Sequence, residues 1–203
     1  MSKSRVRSNI LLFLIGIILD FVGSIIAGGG VVGNVPTLTL FSLLSIAGAI
    51  LQIIAIVSLR NENKNYANAM WSLILYVLVL LSMTIVSIVS SNNPGSKALV
   101  NVSLVLDAVS DVVKAFIAIY FVLGTNQVCG ELASDMPRLT RTIVILILVT
   151  TIIGVVFNIL GLFDGIKVNE PATIAFGIIA LVFDALASIL HFIFLLKAQA
   201  RLK

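Results

Sequence analysis

The chain has 203 residues, of which 60% are hydrophobic and 11% charged, with a net charge of +4. A soluble domain carries roughly a quarter charged residues, so this composition excludes a water-exposed globular surface. A single cysteine, Cys129, excludes a disulfide framework and a cysteine-based metal cluster.

An apolar run of about 18 or more residues reads as a membrane-spanning helix, because about 20 residues cross the hydrocarbon core. Six such runs follow one another, at about 10–27, 38–59, 67–89, 98–123, 143–163 and 172–196. They predict an all-α polytopic membrane protein with six transmembrane helices arranged as three tandem helical hairpins. The hairpin units fall at about 10–60, 67–124 and 140–197, within one transmembrane domain over residues 1–203.

The first run follows Lys3, Arg5 and Arg7, which resembles the charged start of a signal peptide. Its apolar segment continues past Asp20 to Ala27 and pairs with the second run, so we expect it to be retained as a span. Gly28-Gly29-Gly30 with Gly33 lacks the Lys-Ser/Thr that a phosphate-cradling loop needs, and is expected to be a turn.

Ten of the 13 basic residues lie in four places: the N-terminal tail, 60–64, 138–141 and 197–203. This is a topological distribution and not a nucleic-acid signal. By the positive-inside rule it puts both termini in the cytoplasm, most simply of a bacterial plasma membrane.

Each expected outer loop carries Asn-x-Pro: Asn34-Val35-Pro36, Asn92-Asn93-Pro94 and Asn169-Glu170-Pro171. Proline at the first turn presets φ and wastes no amide, so each should open a helix. Asp107 follows Pro94 by 13 residues and Asp184 follows Pro171 by 13; seven residues on stand Lys114 and His191. Around them LVLDAVSDVVKAF reads against LVFDALASILHFI as an internal repeat, and LLSIAGAILQIIA, with Ser45 and Gln52, fits more loosely.

Seven residues span just under two helical turns, so each pair shares a face about 10 Å apart. If the even-numbered spans surround a pseudo-axis, Ser45, Asp107 and Asp184 form an outer rung. Gln52, Lys114 and His191 then form an inner one, and Asp111 lies within pairing reach of Lys114. Ionisable groups at membrane depth cost several kcal/mol and face a bundle interior or a wet cavity. The functional reading is a pathway or pocket for an ion or small polar solute, lined by Asp107, Asp111, Lys114, Asp184, His191, Gln52, Ser45 and Asp20. The plainer reading is interhelical hydrogen bonding worth on the order of 1 kcal/mol per contact.

Gly23-x-x-x-Ala27 and Ser45-x-x-x-Ala49 suit close helix packing, and Tyr66, Trp71 and Tyr120 suit interfacial anchoring. Asp135-Met136-Pro137 is expected to cap the fifth helix. The connection 124–142 is the longest and is expected to face the cytoplasm as a surface for a membrane-protein partner.

The motifs of membrane enzymes are missing. There is no His-Glu-x-x-His, and no Gly-x-Ser-x-Gly accompanies the lone His191. Asp107-x-x-x-Asp111 lacks the preceding elements of a CDP-alcohol phosphotransferase, and the Gly-x-Gly-Asp of intramembrane aspartyl proteases is absent. The expectation is therefore a non-enzymatic transport protein in contact with the lipid bilayer, with no cofactor, metal or nucleic-acid partner. The alternative is an accessory or scaffold subunit of a membrane complex.

Overall fold

In a computed structural model, the backbone is described for residues 3–28, 35–93, 95–129, 135–162 and 170–202, and the side chains for these except 20, 21, 23–28, 35–42, 161 and 170–177. The described residues form six helices and no strand: α1 (Lys3–Gly28), α2 (Val35–Leu59), α3 (Lys64–Asn92), α4 (Lys97–Cys129), α5 (Met136–Gly161) and α6 (Glu170–Arg201). α3 and α5, with Ile178–Arg201 of α6, are long and apolar enough to cross a membrane, and Leu43–Leu59 of α2 is a shorter apolar helix. α4 carries Asp107, Asp111 and Lys114 along its middle.

The helices extend past the hydropathy runs because polar residues continue them. α4 runs on through Gly124, Thr125, Asn126 and Gln127 to Cys129, and α5 begins at Met136. Most of the stretch expected to be the long connection 124–142 is therefore helix. Pro36, Pro137 and Pro171 each stand second in their helix, where a missing amide is harmless. Pro94, Gly29, Gly30, Gly33, Asn34, Glu131 and Asn169, and the side chains of Asp20, Gly23 and Ala27, lie outside the described residues.

Consecutive helices pack against one another, α6 returns to α1, and α4 also touches α6. Contacts between opposite helix ends make the neighbours antiparallel. Arg5 Nη2 donates to the Ser58 carbonyl at 3.3 Å, and Gln199 Nε2 to the Arg7 carbonyl at 2.7 Å. Asn63 accepts from the Tyr66 amide at 2.9 Å, capping α3, and donates to the Gly124 carbonyl at 3.0 Å.

The core gathers where α1, α3 and α5 begin and α2, α4 and α6 end. Val6, Ile10, Phe13, Ile56, Leu59, Tyr66, Phe121, Met136, Ile143, Phe194 and Leu195 are all buried there. Phe13 and Phe121 stack with centroids 3.7 Å apart, and Tyr66 meets Phe121 edge-on at 5.5 Å. Such ring pairs add about 0.5–1.5 kcal/mol beyond burial. Tyr66 is thus a fully buried core residue and not the expected interfacial anchor, because its hydroxyl finds Thr125 Oγ1 at 2.9 Å inside the bundle. Trp71 is 64% exposed, and Tyr120 stacks on Phe116 with centroids 6.0 Å apart.

The opposite half is open and oily. Leu78, Leu81, Ile85, Ile88, Ile152 and Leu181 are exposed, a surface compatible with lipid and not with water. Close packing of α1 on α2 runs through Gly16, whose added Cβ would lie 2.7 Å from the Gly48 carbonyl oxygen, while Ala49 of the expected Ser45-x-x-x-Ala49 pair is exposed.

At the closed end, Asp135 sits at the cap position of α5 but makes no side-chain cap bond. Its carboxylate is held by Lys197 of α6 instead, which ties the start of α5 to the end of α6. This corrects the expected capping role: a full opposite charge outcompetes a backbone amide for the same oxygens.

Candidate functional site

A cleft of about 640 Å³ lies among α4, α5 and α6, open on one side. α4 contributes Asp111, Lys114, Ala115 and Ala118; α5 contributes Ile147, Thr150, Thr151, Ile153, Gly154 and Phe157. α6 contributes Ala180, Leu181, Asp184, Ala187, Ser188 and His191. Along α6 these residues recur at three- and four-residue steps, so one stripe of a regular helix forms that wall.

Four of the expected site residues meet here: Asp111, Lys114, Asp184 and His191. Asp107 does not line the cleft; it stands one turn farther from the core along α4, with its charge felt by Asp111. Ser45 and Gln52 do not line it either. Gln52 packs against α1, where its Cγ would lie 2.8 Å from a Cβ on Gly16. Asp20 lies outside the described side chains. An odd-numbered helix, α5, therefore supplies a wall where the pseudo-axis reading placed α2.

α5 contributes what the sequence reading missed. A Cβ on Gly154 would come within 3.2 Å of Asp111 Oδ2, so the bare backbone lets the carboxylate lie against this helix. The hydroxyls of Thr150 and Thr151 donate to the Ile147 carbonyl at 2.9 and 2.7 Å, so their protons are engaged while lone pairs remain. A threonine pair beside a helical glycine on an apolar span was the available signal.

The charged groups are unevenly partnered. Lys114 Nζ stands 5.6 Å from the centroid of the Tyr76 ring on α3, a cation–π distance, and three residues from Asp111 on its own helix. Asp184 has no ion-pair or hydrogen-bond partner among the described residues. His191 Nε2 is buried without a hydrogen-bond partner. The His191 ring lies 6.2 Å from that of Phe13, which puts the Phe13–Phe121 stack of the core beside the His191 end of the cleft.

A cleft with carboxylates, an ammonium, an imidazole and hydroxyls on otherwise apolar walls can bind a small polar solute or pass protons. Among the described residues no group of three or more His, Cys, Asp or Glu could hold a metal ion. Fold and site together define an all-helical chain with apolar, membrane-compatible helices and an ionisable cleft. No family model, curated protein or solved structure matches it.

Proposed function

We propose that this chain is a small multi-pass membrane transport protein whose cleft among α4, α5 and α6 takes up an ion or small polar solute. All six helices cross the bilayer in this reading. The closed, basic end, with both termini, faces the cytoplasm of a plasma membrane, as the positive-inside rule directs.

One observation carries the proposal. Asp111, Lys114, Asp184 and His191, from two helices, converge on a single cleft in the middle of apolar helices. Purely structural polar groups pair off across a seam, whereas Asp184 is left without a partner next to open volume. An unpaired charge at this depth costs several kcal/mol, and that cost is offset when a solute or water occupies the space. The packed core lies at the end assigned to the cytoplasm, so in this reading the solute enters from the opposite side.

Reconstituted liposomes on a solid-supported membrane test the reading. Rapid exchange through amino acids, alkylammonium ions, carboxylates and alkali cations should evoke a current with at least one class, and Asp184→Asn should abolish it. Silence across the panel, or a current indifferent to Asp184→Asn, refutes the proposal.

A further inference from the structure

We infer that the cleft selects a small organic ammonium ion, a positively charged head on an alkyl body. The inference rests on the proposed role of the cleft as a solute site and names the solute's chemistry.

Charge balance is the first argument. Asp111 and Asp184 bring two negative charges to the lining and Lys114 one positive charge. With His191 counted as neutral, one negative charge is in excess. Lys114 offsets Asp111, three residues away on its own helix, and forms no ion pair with Asp184. A cation restores neutrality at a depth where an uncompensated carboxylate is costly.

The walls decide between a metal ion and an organic cation. A hard cation needs about six converging oxygens. Here the carboxylates come from different helices, and no metal-holding group exists among the described residues. The remaining lining, including Ala118, Ile147, Ile153, Phe157 and Leu181, is mostly apolar and suits an alkyl body.

His191 supplies a separate pointer. Its Nε2 is buried with no partner, one seven-residue step along α6 from Asp184 toward the core. With the proton on Nδ1, Nε2 is the acceptor, and a ligand N–H reaches it once the side chains covering it move aside. Buried polar atoms are nearly always partnered, so an orphan on the wall of a cleft marks a missing donor. An ammonium head between Asp184, Asp111 and His191 meets both the charge excess and the unmade bond.

Calorimetric titration of the purified full chain in mild detergent with n-butylammonium tests the inference, with butyrate, 1-butanol and sodium ion as comparison probes. n-Butylammonium should bind and the other three should not. Asp184→Asn should weaken binding about tenfold or more, as expected for a lost charge-assisted contact. Ala180→Leu, which narrows the cleft without touching a charge, should also weaken it, and Asp135→Asn at the closed end should leave it unchanged. Monodisperse elution of each variant separates lost binding from lost fold. Binding of butyrate, equal binding of sodium or butanol, or no binding of n-butylammonium overturns the inference. If other solutes still evoke Asp184-dependent currents, the transport reading stands without it; if they do not, both fall.

Discussion

Tyr66 and Thr125 join α3 to α4 at the closed end through a bond whose loss should depend on which partner is removed. Thr125 Oγ1 donates its one proton to the Phe121 carbonyl at 2.9 Å, so the 2.9 Å contact with Tyr66 must be donated by the tyrosine hydroxyl. Tyr66→Phe removes that donor and leaves Thr125 with its own bond to Phe121. The expected cost is about 1 kcal/mol, the net worth of one hydrogen bond. Thr125→Val keeps the shape but strands a buried phenolic O–H, which costs about 1–3 kcal/mol. Making both changes removes donor and acceptor together. The double variant should lose less than the sum of the singles, with a coupling on the order of 1 kcal/mol. Gly124 sharpens the test, because a Cβ there would lie 2.9 Å from Tyr66 Cδ1. Gly124→Ala should therefore cost about 1–3 kcal/mol by overpacking, against its gain in helix propensity. Denaturant unfolding in mixed micelles, followed by helical circular dichroism, reads all four variants. Strict additivity in the double variant, or a stabilised Gly124→Ala, refutes the packing described here.

Other variants test other parts of the structure. Gly154→Val should drive a branched side chain against Asp111 and lower the solute-evoked current of reconstituted protein by about tenfold or more; full current would mean that Asp111 does not need this backbone. Cys129 is buried and its thiol is pushed up to about 11 by that burial, so at neutral pH the native protein should react with maleimide far more slowly than the denatured chain. Rapid native labelling contradicts the closed end. The Asp135 carboxyl is held below the usual carboxylate range by the hydrogen bond from Lys197. A lowered folded value means that the stabilisation is present above the ordinary carboxyl pKa of about 3.9 and is lost as pH falls through the folded value. Wild type and Asp135→Asn should therefore differ in unfolding midpoint near neutrality and converge in acid, and a gap that widens in acid reverses the assignment. Phe13→Ala, which removes one ring of the buried core stack, should cost about 3–5 kcal/mol in the same unfolding assay, and an unchanged midpoint contradicts the stack.

Hydropathy made the helices legible because each apolar run corresponds to one helix, from α1 to α6. It missed their full lengths, since Asn65, Thr125 and Asn126 continue a helix without being apolar. The seven-residue spacing from Asp184 to His191 was readable as a shared face, and both residues line the cleft. Which helix lies opposite was not readable. Periodicity gives the direction of a side chain about its own axis and says nothing of the neighbour. Ser45 and Gln52 have the same spacing on α2, yet Gln52 turns to α1, where Gly16 leaves room for it. Asp107 and Asp111 share a face by their four-residue step, and only depth separates them: the cleft begins inward of Asp107. Asn63 was equally hidden, because its cap to Tyr66 and its bond to Gly124 join residues that sequence distance does not relate.

A solute cleft within the bilayer requires α6 to have one wet wall and one lipid wall at the same depth. Ser188 lines the cleft, whereas its neighbour Ile189 is 56% exposed and absent from the lining. In a Cys129→Ala background, single Ser188→Cys and Ile189→Cys variants in native membranes can be challenged with a charged, membrane-impermeant thiol reagent, whose reaction requires water at the sulfur. Fast labelling at position 188 with none at 189 is the predicted result. Equal labelling of the two positions, or none at either, contradicts a water-filled cleft within the bilayer.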